Sequence, residues 1–395
     1  MASLSSMDAP HVPLSLLDLV PISDGMTTRE AITASMEAAR AADRLGYERL
    51  WFAEHHNTNS LASSATSLLI DRAASLTERI RVGSGGIMLP NHSPLAVIEQ
   101  FGTLVQFHGD RIDLGLGRAP GTDQLPAQLL ARTSAEPSAF LAAVEQMRDW
   151  SREEGSGDVP IHADVARGTE VPMWILGSTA NGARLAAQLG LPFSVASHFA
   201  PFQYLHALDV YRENFDPDAD AAQLETPRTM VGVNLVIADT DEEAQHQFTT
   251  LQQMFLGVVT GQRRKIQPPR PLEEVAPDQL ISQVDQTLSI RAVGSPSTVV
   301  RQLEEIVAAT GADELILTAY YYDPADRLHA LELLAPAWGL CADRSRPGDE
   351  EGPSRMRHGP SPPLDHSLDM PSRSGMNREI CGTNTISSRP ITSGT

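Results

Sequence analysis

The sequence predicts a (β/α)8 TIM barrel with insertions, followed by a C-terminal tail that has no core of its own. Three observations carry this. Short branched-apolar runs alternate with stretches of helical periodicity. Glycine and proline punctuate the ends of those runs. One continuous stretch, Ile80 to Asp123, holds a complete strand, crossover helix and second strand. Eight such units fall between Leu14 and Gly339, the arithmetic of a barrel. A doubly wound sheet is the alternative, but such a sheet does not normally need eight units.

The elements follow in order. Leu14 to Val20 is a short apolar strand, and Thr27 to Leu45 a helix, with Thr27 or Thr28 capping it, Glu30 closing a capping box and Gly46 ending it. Tyr47 to Ala53 and Ala62 to Leu76 form the second pair. Ile80 to Leu89 and Ile112 to Leu116 are strands three and four, rich in branched residues as buried parallel strands are, with Ser93 to Phe107 as the helix between them. A helical insert spans Ala135 to Trp150. Pro172 to Leu176 and Phe193 to Ala196 are strands five and six, followed by helices Asn181 to Leu189 and Pro201 to Phe215. Thr229 to Ala238 with Asp241 to Phe255, then Glu314 to Ala319 with Ala325 to Leu334, complete the eight.

Three segments fall outside the repeat. Residues 1–13 read as a flexible N-terminus before a barrel over 14–343. Residues 344–395 are dense in Pro, Ser, Gly and Arg with almost no apolar periodicity, so they are expected to be a disordered tail. Gly257 to Ile290 is too long for an ordinary connection and holds QRRKIQPPRP before a polar helix-like stretch; a long insert at a barrel's catalytic face reads as a lid.

Composition narrows the function. With 395 residues and 41% hydrophobic content the chain can bury a large α/β core. A net charge of -20 argues against nucleic acid and against anionic membranes, and no run is apolar enough to span a bilayer. Arg263, Arg264 and Lys265, the only lysine, read as a solvated stretch. Cys341 and Cys381 are too few for a disulfide scaffold, and no leader is evident, so a reducing cytoplasm is the expected location.

Chemistry concentrates at the strand ends, where barrel active sites are built. Glu54-His55-His56 ends strand two. Adjacent ligands rarely face one ion and HExxH spacing is absent, so no metal is expected. Two neighbouring histidines are most often a surface turn, but a strand end makes His55 a candidate catalytic residue. Arg118 follows Gly115-Leu116-Gly117 and wants an anion, unless Asp113 or Asp123 is its partner. Gly294-Ser295-Pro296-Ser297 resembles a phosphate loop but reads better as a helix start with Pro296 at the first position. His92 either lines a pocket or caps the next helix, and Tyr320, Tyr321 and Tyr322 are core and rim as readily as substrate contacts.

On EHH, GSGGIMLPNHSP and GRAPGTD, the chain from about Leu14 to Gly339 resembles the bacterial luciferase-like flavin monooxygenases, most closely their single-gene group. The resemblance implies that His55 lies beside flavin and substrate and moves a proton. It implies that Gly85-Gly86 is a non-prolyl cis peptide under the isoalloxazine ring. It assigns Arg118, Gly177, Ser178 and Thr179 to the FMN phosphate. The implied activity is an FMNH2-dependent monooxygenase that activates O2 as a C4a-peroxyflavin to oxidise a neutral or apolar organic substrate. Reduced FMN would come from a separate flavin reductase, since no GxGxxG nicotinamide fingerprint follows the first strand, and a homodimer is implied. The sequence has Gly117 where luciferases proper carry a reactive cysteine and Gly177 where they carry an acidic residue, which puts light emission in doubt. A deazaflavin-dependent hydride-transfer enzyme and a non-catalytic flavin-binding protein remain alternatives on the same fold.

Overall fold

A computed structural model describes residues 11–119, 129–130, 136–154 and 161–340. The expected tail, most of the expected N-terminal extension, both cysteines, Gly121 and Asp123 lie outside the described residues.

Ten strands form one sheet: β1 (Leu14–Asp18), β2 (Arg49–Phe52), β3 (Arg81–Ser84), β4 (Ile87–Met88), β5 (Ile112–Gly117), β6 (Met173–Gly177), β7 (Phe193–Val195), β8 (Thr229–Ile237), β9 (Arg291–Gly294) and β10 (Glu314–Ala319). Every pairing is parallel, and β10 joins both β8 and β1, so the sheet closes on itself. β3 and β4 are two halves of one stave, and β9 pairs with β8 alone outside the closed ring, which leaves eight staves, as the sequence predicts. Among the described residues ten α-helices clothe it: α1 (Thr28–Leu45), α2 (Thr66–Ala74), α3 (Pro94–His108), α4 (Pro137–Ser151), α5 (Ala180–Gln188), α6 (Tyr204–Glu213), α7 (Asp241–Val259), α8 (Asp278–Thr287), α9 (Pro296–Thr310) and α10 (Pro324–Trp338). The predicted cap of α1 is present in full: Thr27 accepts from the backbone of Glu30, Glu30 reaches back to Thr27, and Gly46 closes the helix left-handed. None of the described helices is long and apolar enough to cross a membrane.

The strands are buried on both faces, and alternation sorts their side chains into two cores. Leu50 and Phe52 of β2 point to the helices with Leu14, Leu16, Val82, Ile112 and Leu114. Trp51 of the same strand points into the barrel, where it packs with Leu17, Ala53, Trp174, Met230 and Ile316.

Below that lumenal layer, at the N-terminal ends of the strands, lies a buried ionic plug. Arg49 is 3% exposed. Its guanidinium donates to both oxygens of Glu314 (2.6 and 3.0 Å) and to Asp113 (2.8 Å). Arg81 and the Trp51 indole N–H also donate to Asp113, and Arg228 and Ser15 to Glu314. Arg49 also lies 5.1 Å from the Trp174 ring centre, within cation–π range. Burial disfavours the charges of Arg49 and Asp113, but the attraction of Glu314 and Asp113 for Arg49, and of Arg49 and Arg81 for Asp113, outweighs it, so the arginine pKa is raised and the aspartate pKa lowered.

The insert between β8 and β10 carries an element the sequence reading did not anticipate. Arg291–Gly294 becomes β9, pairing with the upper half of β8 (Asn234 to Ile237), before Pro296 starts α9 as predicted. The rest of the insert is the end of α7, a short turn and α8.

Candidate active site

Two adjacent strand ends bring together the four residues expected at a phosphate. The β5–β6 register sets Gly117 opposite Leu176, so Arg118 lies beside Gly177. From Gly177 the chain passes through Ser178 and Thr179 into α5, where the Thr179 hydroxyl accepts from the Gly182 N–H at 3.5 Å. A Cβ on Gly177 would stand 3.3 Å from both the Gly182 Cα and the Phe193 ring, so strand end and helix start meet at backbone distance. The first-turn N–H groups of α5 lack partners within the helix, and its dipole is positive here, so this helix end has the polarity that an anion requires. The four residues predicted for phosphate are therefore neighbours in space, although some sixty positions of sequence separate Arg118 from Gly177.

The floor of the mouth is made at the break between β3 and β4. Four steps along this stave, Gly83 to Ile87, match three along β5, Asp113 to Leu116, which inserts one residue as a bulge. The Gly85–Gly86 peptide bond is cis. Side chains have no room here: a Cβ on Gly85 would lie 2.5 Å from the Leu17 Cδ1, one on Gly86 2.8 Å from the Gly115 carbonyl, and one on Gly115 would collide with the Ser84 carbonyl. Glycine is required because two backbones approach each other over the lumenal layer.

Glu54 holds the wall above this floor. Its carboxylate is buried and accepts from the Met88 N–H (2.9 Å), His92 Nε2 (2.9 Å), His56 Nε2 (2.9 Å) and Asn91 Nδ2 (3.3 Å). Burial pushes the Glu54 pKa up, but the His92, His56 and Met88 hydrogen bonds together push it further down, so it is ionised at neutral pH. This settles His92, which neither caps α3 nor stands alone: it clamps Glu54. His56 is likewise turned to Glu54. His55 is half-buried and donates its backbone N–H to the Ser63 carbonyl at 3.2 Å.

One residue that the sequence reading passed over belongs to the same mouth. His198 follows β7 and lies against Gly232 of β8; its Nδ1 is buried with no hydrogen-bond partner. Burial, with a smaller contribution from nearby His55, pushes its pKa down to about 4. Its sequence setting, a lone histidine after a serine, carries no signal; only the fold sets it near His55.

The insert also reaches the mouth. Ile266 exchanges backbone hydrogen bonds with the loop after β1, donating to Ile22 (2.9 Å) and accepting from Asp24 (2.8 Å), and Lys265 Nζ donates to the Met26 carbonyl (2.7 Å). Arg263 and Arg264 are solvated as expected, whereas Lys265 is half-buried and engaged. Of the three tyrosines, Tyr320 and Tyr321 are buried; the Tyr321 hydroxyl bonds the Ile237 backbone, and the Tyr322 hydroxyl donates to the Asp24 carbonyl. Among the described residues no group of His, Cys, Asp or Glu could hold a metal ion.

Comparison with known proteins identifies the family. YvbT of Bacillus subtilis is 44% identical over 82% of this chain and 96% of its own. A luciferase-like monooxygenase of Escherichia coli K12 is 43% identical over the same shares. The crystal structure of apo-MsnO8 superposes with a TM-score of 0.74 at 34% identity, covering 84% of this chain and 99% of that one. The sequence model of the luciferase-like monooxygenases matches residues 13–314, and the chain belongs to that family.

Proposed function

We propose that the protein binds reduced FMN at this mouth and uses O2 to oxidise a neutral or apolar organic substrate. The observation that carries the reading is the register that sets Arg118 beside Gly177, Ser178, Thr179 and the start of α5, a cradle that fits a flavin phosphate. When bound, the reduced flavin supplies the electrons that activate O2. The chain's own residues do the rest. Arg118 and the α5 N-terminus hold the phosphate, and the Gly85–Gly86 floor lets a flat ring lie against backbone. Glu54 fixes the wall through Met88, His56 and His92. His55 moves the proton that oxygen chemistry requires, a task suited to an imidazole. The reductant comes from a separate flavin reductase, and the protein acts as a homodimer.

Replacing Arg118 by Ala is expected to weaken reduced-FMN binding by about 1.5–3 kcal/mol, the range for a charge-assisted bond, with the fold unchanged. Anaerobic titration followed by flavin fluorescence checks this; unchanged affinity would remove Arg118 from the phosphate site.

Proteins of this fold take either flavin or its deaza analogue. An oxygenating constituent of 3,6-diketocamphane monooxygenase is known in complex with FMN, and an F420-dependent secondary alcohol dehydrogenase with an F420–acetone adduct. Competitive titration of the same protein with reduced FMN and reduced F420 separates the two readings.

The insert acts as the lid. Residues 265–270 are tied to the loop after β1 and to α7, but Arg263 and Arg264 are exposed, and a pocket of about 440 Å³ lined by Met254, Leu256, Arg264, Lys265 and Leu280 lies between the insert and α7, so the 263–264 stretch is the part a protease can reach. Within the barrel, trypsin is expected to cut first after Arg263 or Arg264, and saturating FMN is expected to slow that cut by favouring the closed state. Equal cleavage rates with and without FMN would make the insert a fixed surface element.

A further inference from the structure

The barrel spends three side chains on holding the loop that carries His198. The Ser197 hydroxyl donates to the Gly232 carbonyl at 2.7 Å. Asn234 Nδ2 donates to the His198 carbonyl, and Asn234 is itself oriented by the Thr318 hydroxyl at 2.9 Å. Gly232 supplies the space, because a Cβ there would fall on the imidazole Nδ1. This nitrogen has no acceptor within reach and no water access. A proton on it would be a buried, unsatisfied donor, a more costly state than a bare lone pair in an apolar crevice. The ring proton therefore goes to Nε2, on the opposite edge of a half-buried side chain.

We propose that His198 is a fixed, neutral hydrogen-bond donor of the mouth, locked as the Nε2–H tautomer by its crevice against Gly232, and that it binds a carbonyl oxygen of the bound ligand. The inference rests on the mouth being the ligand site. It divides labour between two imidazoles: His198 donates without titrating, and His55 carries the exchangeable proton. The titratable group that acts on His198 is His55; facing it from β8 are Gly232 and Asn234, both uncharged. Two sources can supply the carbonyl, the pyrimidine edge of the flavin and the organic substrate.

The test uses the full chain. Imidazole 15N NMR of 15N-histidine-labelled protein, with His198→Gln for assignment, is expected to show His198 with bare Nδ1 and protonated Nε2, unchanged from pH 5.5 to 8 as the crevice requires. A His198 signal that titrates near 6.5, or that carries its proton on Nδ1, would overturn the proposal. Two variants then separate the donor from the shape: Gln keeps an N–H where Nε2 stands, and Phe does not. Against reduced FMN and against octanal as carbonyl probe, His198→Phe is expected to lose about tenfold in affinity for one ligand while His198→Gln stays within about threefold of the parent. Loss for FMN identifies the flavin carbonyl, and loss for octanal identifies the substrate carbonyl. Parental affinity of the Phe variant for both ligands, with a parental melting temperature, refutes the donor role. If the parent itself binds no reduced FMN, the proposed function fails, and the NMR and octanal arms still decide the role of His198.

Discussion

His55→Ala is expected to bind reduced flavin almost as the parent does and to lose about 10²-fold or more in product formation, the usual worth of general acid–base assistance. The Glu54 wall is the reason binding survives. Its hydrogen bonds run to His56, His92, Met88 and Asn91, so truncating His55 leaves that carboxylate satisfied and the floor in place. Oxygen consumption should continue while hydrogen peroxide rises in place of product, since flavin reoxidation then proceeds without coupled transfer. A parental turnover number would remove His55 from the mechanism. A collapse of flavin affinity would instead make His55 part of the binding wall.

Arg49→Met is expected to cost about 3–5 kcal/mol of folding stability, because removing one partner leaves Asp113 and Glu314 buried with too little positive charge. The methionine fills most of the volume, so the loss is electrostatic rather than a cavity effect. Urea denaturation measures it, provided unfolding is a single transition. The charge lies at the closed end of the barrel, beneath Trp51 and Trp174, and so the variant that survives should keep its affinity for reduced FMN. A loss under about 1 kcal/mol would show that Arg81 and Arg228 can neutralise both carboxylates without Arg49.

Both predictions rest on features that differ in how legible they are in the sequence. The staves are legible because parallel strands buried on both faces leave short apolar runs such as Leu114–Leu116 and Leu235–Ile237. Turn chemistry exposes the helix starts at Thr27 and Pro296, whereas the helix read from Asn181 begins at Ala180 with Thr179 as its cap. The cradle is half legible: Arg118 and Gly177-Ser178-Thr179 each stand at a strand end, but only the β5–β6 register makes them one site. The ionic plug is not legible, since Arg49, Asp113 and Glu314 look like ordinary polar residues at strand starts until closure of the barrel points all three inward. The same holds for β9, whose four residues open with an arginine and read as loop. They become strand because the upper half of β8 leaves an unpaired edge beside it. The pair His55-His56 shows the limit at the level of single side chains, because adjacent identical residues give no means of telling which one turns to Glu54.

The account's central claim is that reduced flavin and oxygen meet in this mouth under protection. Rapid mixing of the protein–reduced FMN complex with oxygenated buffer tests it most directly. Reoxidation is expected in two phases, with a transient absorbance that belongs to neither reduced nor oxidised FMN and that outlives the reoxidation of free flavin. A single phase at the rate of free reduced FMN, from protein shown to be saturated with it, would contradict the account.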